Sequence, residues 1–230
     1  MQGSASSLAL RLGLISGAAV AILCALYVVV LSVGLLALPS PEHQIQEPWF
    51  TLMELLILAI APAMVALAVA VHASSSPERR PLALLGVVFI GLCTVLTCLV
   101  HFSVLVLSRH PSFGGAWNHL VFSFRWPSLV YALDILAWDI FFPLGALFAA
   151  PAVQGTGLAR AVRILLFVSA VLALAGLLGV PLGDMQVRNI GIIGYAVLFP
   201  IAAALLAVLF HRQASRVGFF GDSPDSPCCR

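Results

Sequence analysis

The chain reads as an all-α polytopic membrane protein, a six-transmembrane-helix bundle with both termini in the cytoplasm. Three observations predict this. Hydrophobic residues make up 62% of the 230 residues and charged residues only 9%, with a mean hydropathy of +1.11, too little polar surface to cover a water-soluble globule. The apolar residues fall into six runs, each near the roughly 20 residues that cross a bilayer as a helix. Period-two alternation is absent from these runs, which argues against a barrel. Lipid offers the backbone no hydrogen-bond partners, so each run must satisfy its own as a helix.

The first span is expected from Leu14 to Leu38. Arg11 ahead of it and the small residues of Ala37 to Ser40 imitate a secretory signal. A signal core usually runs only about 7–15 residues, so a retained helix is expected. Gly13, Gly17 and Ala21 form a small-residue stripe suited to close helix packing. The second span runs from Thr51 to His72 and the third from Leu82 to Leu107. The connection 108–126 is the longest at nineteen residues, too short for a folded domain. Its Phe113, Trp117, Val121, Phe122 and Phe124 predict an interfacial loop, with a short helix or lid as the alternative. The fourth span is expected from Pro127 to Ala150, the fifth from Ala161 to Val180 and the sixth from Gly191 to His211. Ala175 and Gly179 are a second small-residue pair. Pro62, Pro143 and Pro200 lie inside spans and predict kinks or local unwinding, because proline removes a donor and its ring collides with the carbonyl four residues back. Residues 1–211 thus form one membrane domain, and the Ser-, Pro- and Asp-rich stretch 212–230 is expected to be a disordered cytoplasmic tail.

Orientation follows from arginine, since the chain has no lysine. Eight arginines fall on one side: Arg11, Arg79, Arg80, Arg160, Arg163, Arg212, Arg216 and Arg230. Three fall on the other: Arg109, Arg125 and Arg188. The richer side is cytoplasmic by the positive-inside rule, and Trp49, Trp117 and Trp126 then gather at the outer interface.

Ionisable residues at membrane depth cost about 2.5 kcal/mol or more each unless paired or neutralised, so they mark candidate sites. At about 1.5 Å per residue, Glu54 lies about 4 Å, His101 about 9 Å and Asp134 about 10 Å below the outer ends of their spans, with Asp139 at about 18 Å. Tyr131, Asp134 and Trp138 share one helical face, whereas ideal helical geometry rotates Asp139 about 140° away from Asp134. The two aspartates are therefore expected to act separately. Thr94, Thr97, Cys98, His101 and Ser108 form an inward polar stripe on the third span. These residues predict an outward-facing pocket in which His101 and Asp134 share a proton or hold a ligand, Tyr131 and Trp138 line it, Glu54 and Arg125 stand near its mouth, and Asp139 is a deeper candidate of the same ligand or proton site. Interhelical hydrogen bonds that fix register are the competing explanation for the same cluster.

Several chemistries lack support. No second histidine lies at the depth of His101 to complete a bis-histidine haem, and without lysine no retinal Schiff base can form. Glu54, His101 and Asp134 have no metal-ligand spacing, and no phosphate loop, nucleophile elbow or HExxH occurs. No cofactor and no metal are predicted. Cys24, Cys93 and Cys98 fit the spans as small apolar residues, and Cys228 and Cys229 match no zinc, redox or prenylation pattern.

The segments SFRWPS (123–128), YALDILAWDIFFPLGALFAAP (131–151) and GDMQVRNIGIIGYAVLFP (183–200) resemble a group of prokaryotic multi-spanning integral membrane proteins of unassigned activity. The resemblance covers mainly spans four to six. It implies a similar helical architecture in a prokaryotic cytoplasmic membrane and nothing about chemistry. The function ranked first is a small transporter or ligand-binding bundle that takes a small molecule or a proton in an outer pocket. A noncatalytic membrane subunit or assembly partner, packing against another protein or a second copy, is the alternative. An intramembrane enzyme acting on a lipid or quinone, with Asp134, His101 and Asp139 as acid/base groups, ranks last, so an enzyme is the less favoured class. The bilayer is the expected environment, and nucleic acid is not an expected partner.

Overall fold

A computed structural model describes residues 6–40, 43 and 45–221, apart from the side chains of 116 and 217–221. Among them there is no strand, and six helical spans are long and apolar enough to cross a membrane. Three are continuous: α1 (Ser7–Leu36), α2 (Trp49–Ala73) and α3 (Arg80–Leu107). A short α4 (Ala116–Val121) follows in the third connection. The fourth span is α5 (Leu129–Ile135), a π-helical turn over Leu136–Phe141, and α6 (Phe142–Ala149). The fifth is α7 (Leu158–Gly176) and the one-turn α8 (Gly179–Leu182). The sixth is α9 (Asn189–Ile192), a second π-helical turn over Ile193–Leu198, and α10 (Phe199–Gly221). These spans contain all six expected ones to within a few residues at each end.

Local chemistry sets the span starts. The Ser6 side chain accepts from the Ala9 N–H at 3.2 Å and caps α1. Ser128 does the same for the Tyr131 N–H at 3.2 Å, while its hydroxyl donates to the Ser123 carbonyl, so the start of the fourth span is held to the loop before it. Prolines act as expected in two spans. Each π-helical turn directly precedes a helix with proline in its first turn, Pro143 in α6 and Pro200 in α10, where i→i+5 bonding widens the helix around the missing donor. The α2 helix, by contrast, is unbroken through Pro62.

Small residues bring helices together. A side chain at Gly13 would collide with the Phe210 ring, and one at Gly17 would meet the Ala203 carbonyl at 2.9 Å, so the first half of α1 lies directly on α10. That contact puts the start of α1 and the end of α10 at the same end of the bundle. In the fifth span the close approach is made by Gly176, against Gly191, and the expected partner Ala175 is only half-buried. Aliphatic and aromatic side chains such as Ile22, Leu92, Leu99, Phe102 and Phe167 point outward, the arrangement a lipid solvent favours.

Two expectations need correction. The last helix continues to Gly221, into the stretch expected as a disordered tail, because Arg212, Gln213 and Arg216 are good helix formers; residues 222–230 lie outside the described part. The third connection is not a plain loop. It forms a 3₁₀ turn (Pro111–Phe113) and α4, and Phe113 packs edge-on to Phe122 at 5.2 Å, in a cluster with Val100, Val104 and Val130 over this end of the bundle.

Candidate functional site

Four spans deliver charge to one place. Glu54 comes from α2, His101 from α3, Asp134 from α5 and Asp139 from the first π-helical turn, while Arg188 lies immediately before α9. His101 Nδ1 lies 2.8 Å from Glu54 Oε2, and His101 Nε2 lies 3.9 Å from Asp134 Oδ1. Arg188 donates from Nη2 to Asp134 Oδ2 and from Nε to Asp139 Oδ2, both at 2.7 Å. Its guanidinium lies over the Tyr131 ring, 4.6 Å from the centroid, a cation–π contact strengthened by exclusion of water. The result is one chain of charges: Glu54, His101, Asp134, Arg188 and Asp139. All are buried or nearly so, down to full burial for Asp139. The second Asp139 oxygen, Oδ1, has no hydrogen-bond partner and lies where a side chain at Gly191 would stand.

The first four members of this chain, Glu54, His101, Asp134 and Arg188, border a cavity of about 680 Å³. Tyr27, Trp138 and Tyr195 surround its polar end, and Val28, Leu31, Met53 and Ile57 make apolar walls. Trp138 and Tyr195 pack at 5.2 Å and both pack on Phe142, at 5.7 and 6.1 Å, so the aromatic wall spans the two π-helical turns. His43, Arg109, Asn118 and Arg125 line the mouth, where Arg109 pairs with Glu47 and lies 4.3 Å over Phe50. Phe124 covers the His101 ring at 5.3 Å.

Sequence reasoning named Glu54, His101, Asp134, Tyr131, Trp138, Asp139 and Arg125 as one candidate site; six of them line this cavity, and Asp139 lies behind it on Arg188. Three details differ. Glu54 is not at the mouth but is the direct partner of His101. The aspartates do not act separately: the π-helical turn adds a residue to the helical repeat and carries Asp139 back toward the side of Asp134, so one guanidinium holds both. Arg188, counted among the outer-connection arginines, is 4% exposed and joins the two acids. The signal for it was charge balance, because three carboxylates at membrane depth with a single imidazole call for another cation.

Among the described residues, no group of three or more His, Cys, Asp and Glu side chains converges as a metal-binding set. No family model, curated protein or solved structure matches the chain. The site therefore has to be read from its own geometry.

Proposed function

We propose that this membrane protein is a ligand-binding bundle whose cavity takes a small molecule from the outer side of a prokaryotic cytoplasmic membrane, with both termini inside. The orientation rests on the arginine bias, and the prokaryotic setting on the resemblance of residues 123–200. One observation carries the binding reading: Glu54, His101, Asp134 and Arg188 line a cavity of about 680 Å³ instead of being sealed between helices, with Asp139 fully buried behind them on Arg188. Register-fixing hydrogen bonds need no cavity, whereas pockets of about 300–1,000 Å³ with apolar walls and a few convergent polar groups are typical ligand sites.

Mass spectrometry of the protein released gently from native membranes tests this. The expected spectrum contains a bound small molecule at one per chain that is absent from the Asp134→Asn variant. A wild-type spectrum of bare protein under every mild condition would overturn the proposal.

Transport is a second reading, favoured by the π-helical turns that contribute Trp138 and Tyr195 to the cavity wall, since such turns are frequent at functional sites in helices. Proteoliposomes carrying an internal pH dye test its proton-linked form: a flux unchanged in Asp134→Asn and His101→Ala would remove it.

A further inference from the structure

A carboxylate has no proton to donate, so the 2.8 Å contact with Glu54 Oε2 places the imidazole N–H of His101 on Nδ1. In the neutral ring, Nε2 is then an acceptor. It faces a second acceptor, Asp134 Oδ1, at 3.9 Å, beyond direct hydrogen-bond range. His101 is 6% exposed, and both residues line the cavity. A group that donates two hydrogen bonds can join these two acceptors from the cavity side.

Charge favours a cationic donor. Glu54, Asp134 and Asp139 are three carboxylates linked to one guanidinium and one imidazole, so negative charge is in excess in either protonation state of the ring. At the mouth, Arg109 is already paired with Glu47. A cation is therefore better served by the deep end of the cavity, beside Asp134.

The α1 wall offers an apolar path to that end. Its first half packs on α10 through Gly13 and Gly17. Its second half diverges: Cys24, Tyr27, Val28 and Leu31 face the cavity, with Tyr195 and Ala196 of the sixth span lining it too, and the helices α1 packs against extensively are α2 and α10, not the segment 189–198. Val28 lines the cavity, while its neighbours Leu26 and Val29, which do not line it, are exposed, so this stretch of α1 stands between the cavity and the bilayer.

We infer that the cavity takes a single-chain primary amine, its ammonium bridging His101 Nε2 and Asp134 Oδ1 and its alkyl chain leaving between α1 and the sixth span into the bilayer. This rests on the ligand-binding reading above and names the ligand class for the same site. The ammonium supplies the two donors and the positive charge, and the chain matches the apolar walls.

The test is equilibrium binding of radiolabelled dodecylamine to the full chain in phosphatidylcholine nanodiscs, corrected for empty discs. Dodecanol, dodecanoate and propylamine serve as unlabelled competitors. The expected result is saturable binding to one site, with each competitor weaker than unlabelled dodecylamine by about 10-fold or more, the scale of a charge-assisted hydrogen bond. Asp134→Asn and His101→Ala lower affinity by a similar factor. Val28→Trp, a change on a partly exposed face that leaves the charged residues intact, blocks the alkyl path, lowers affinity likewise and keeps the test decisive if either polar variant fails to fold. Dodecanol or dodecanoate competing as well as dodecylamine, with Val28→Trp still abolishing binding, would overturn the amine assignment and leave the cavity reading standing. Dodecylamine binding unaffected by Val28→Trp would overturn the proposed path. Absence of saturable binding for every probe would overturn the amine assignment and count against the ligand-binding reading as well.

Discussion

Arg188 and Asp139 are 49 residues apart in sequence and 2.7 Å apart in space, joined by the bond from Nε to Oδ2. The bond ties the entry of the sixth span to a π-helical turn in the fourth, and Arg188 extends it from Nη2 to Asp134. A guanidinium fork can hold two carboxylates at once, which a lysine ammonium at the end of a flexible stem cannot reproduce in the same geometry.

Removing the fork leaves two carboxylates without their cation. Arg188→Met is expected to destabilise the bundle by about 3–5 kcal/mol, the cost of breaking a buried pair, and Arg188→Lys to recover only part of it. Reversible unfolding in mixed micelles measures both. The triple variant Arg188→Met, Asp134→Leu, Asp139→Leu should be more stable than Arg188→Met alone, because no buried charge is then left unpaired. A single variant as stable as wild type would show that the cluster contributes nothing to the fold.

Glycine 191 is placed by the same carboxylate. A Cβ there would stand 2.9 Å from Asp139 Oδ1 and 3.3 Å from the Ala173 carbonyl, so Gly191→Ala should cost about 1–3 kcal/mol through overpacking. At Gly91, in α3, nothing lies within 4 Å of the added methyl, and Gly91→Ala should be neutral or stabilising by up to about 1 kcal/mol from helix propensity. Parallel unfolding curves for the two variants check the contrast. Equal effects would refute the close packing of the fourth and sixth spans.

The contact with Glu54 makes a spectroscopic prediction. Nitrogen-15 spectra of histidine-labelled protein should show the neutral His101 ring carrying its proton on Nδ1, and Glu54→Ala should release that preference. A neutral ring protonated on Nε2 in the wild type would contradict the hydrogen-bond assignment on which the cavity-facing acceptor depends.

Packing of α1 on α10 should be similarly sensitive. Gly17→Leu would drive a side chain into the Ala203 carbonyl and the Ala207 methyl, and is expected to loosen α1 and raise proteolysis at the segment joining it to α2. Unchanged proteolysis would show that α1 is held elsewhere.

Much of this site was legible before the structure, for a physical reason. Glu54, His101 and Asp134 stand out because lipid makes each unpaired charge expensive, and counting residues from the span ends gives their depth. Two features resisted. Arg188 sits among Asp184, Gln186 and Asn189, where an arginine looks like part of a polar connection, and its burial depends on Gly176 and Gly191 letting two helices meet. The relation of Asp134 to Asp139 was hidden because a uniform period of 3.6 residues cannot represent a π-helical turn. The proline four residues after Asp139 was the visible cue, since it removes the donor that Asp139's own carbonyl would otherwise accept from. The helical end of α10 was hidden by the Ser, Pro and Asp content of the residues beyond it.

The most direct test of the account is thiol accessibility at Met53, which lines the cavity wall one residue before Glu54. In a background with the native cysteines replaced by serine, Met53→Cys in intact cells should react with a membrane-impermeant maleimide added outside, whereas Leu92→Cys, on an outward-facing apolar position of α3, should not. Met53→Cys that stays unlabelled from outside, or labels only once the cytoplasmic face is exposed, would contradict an outward-open ligand cavity.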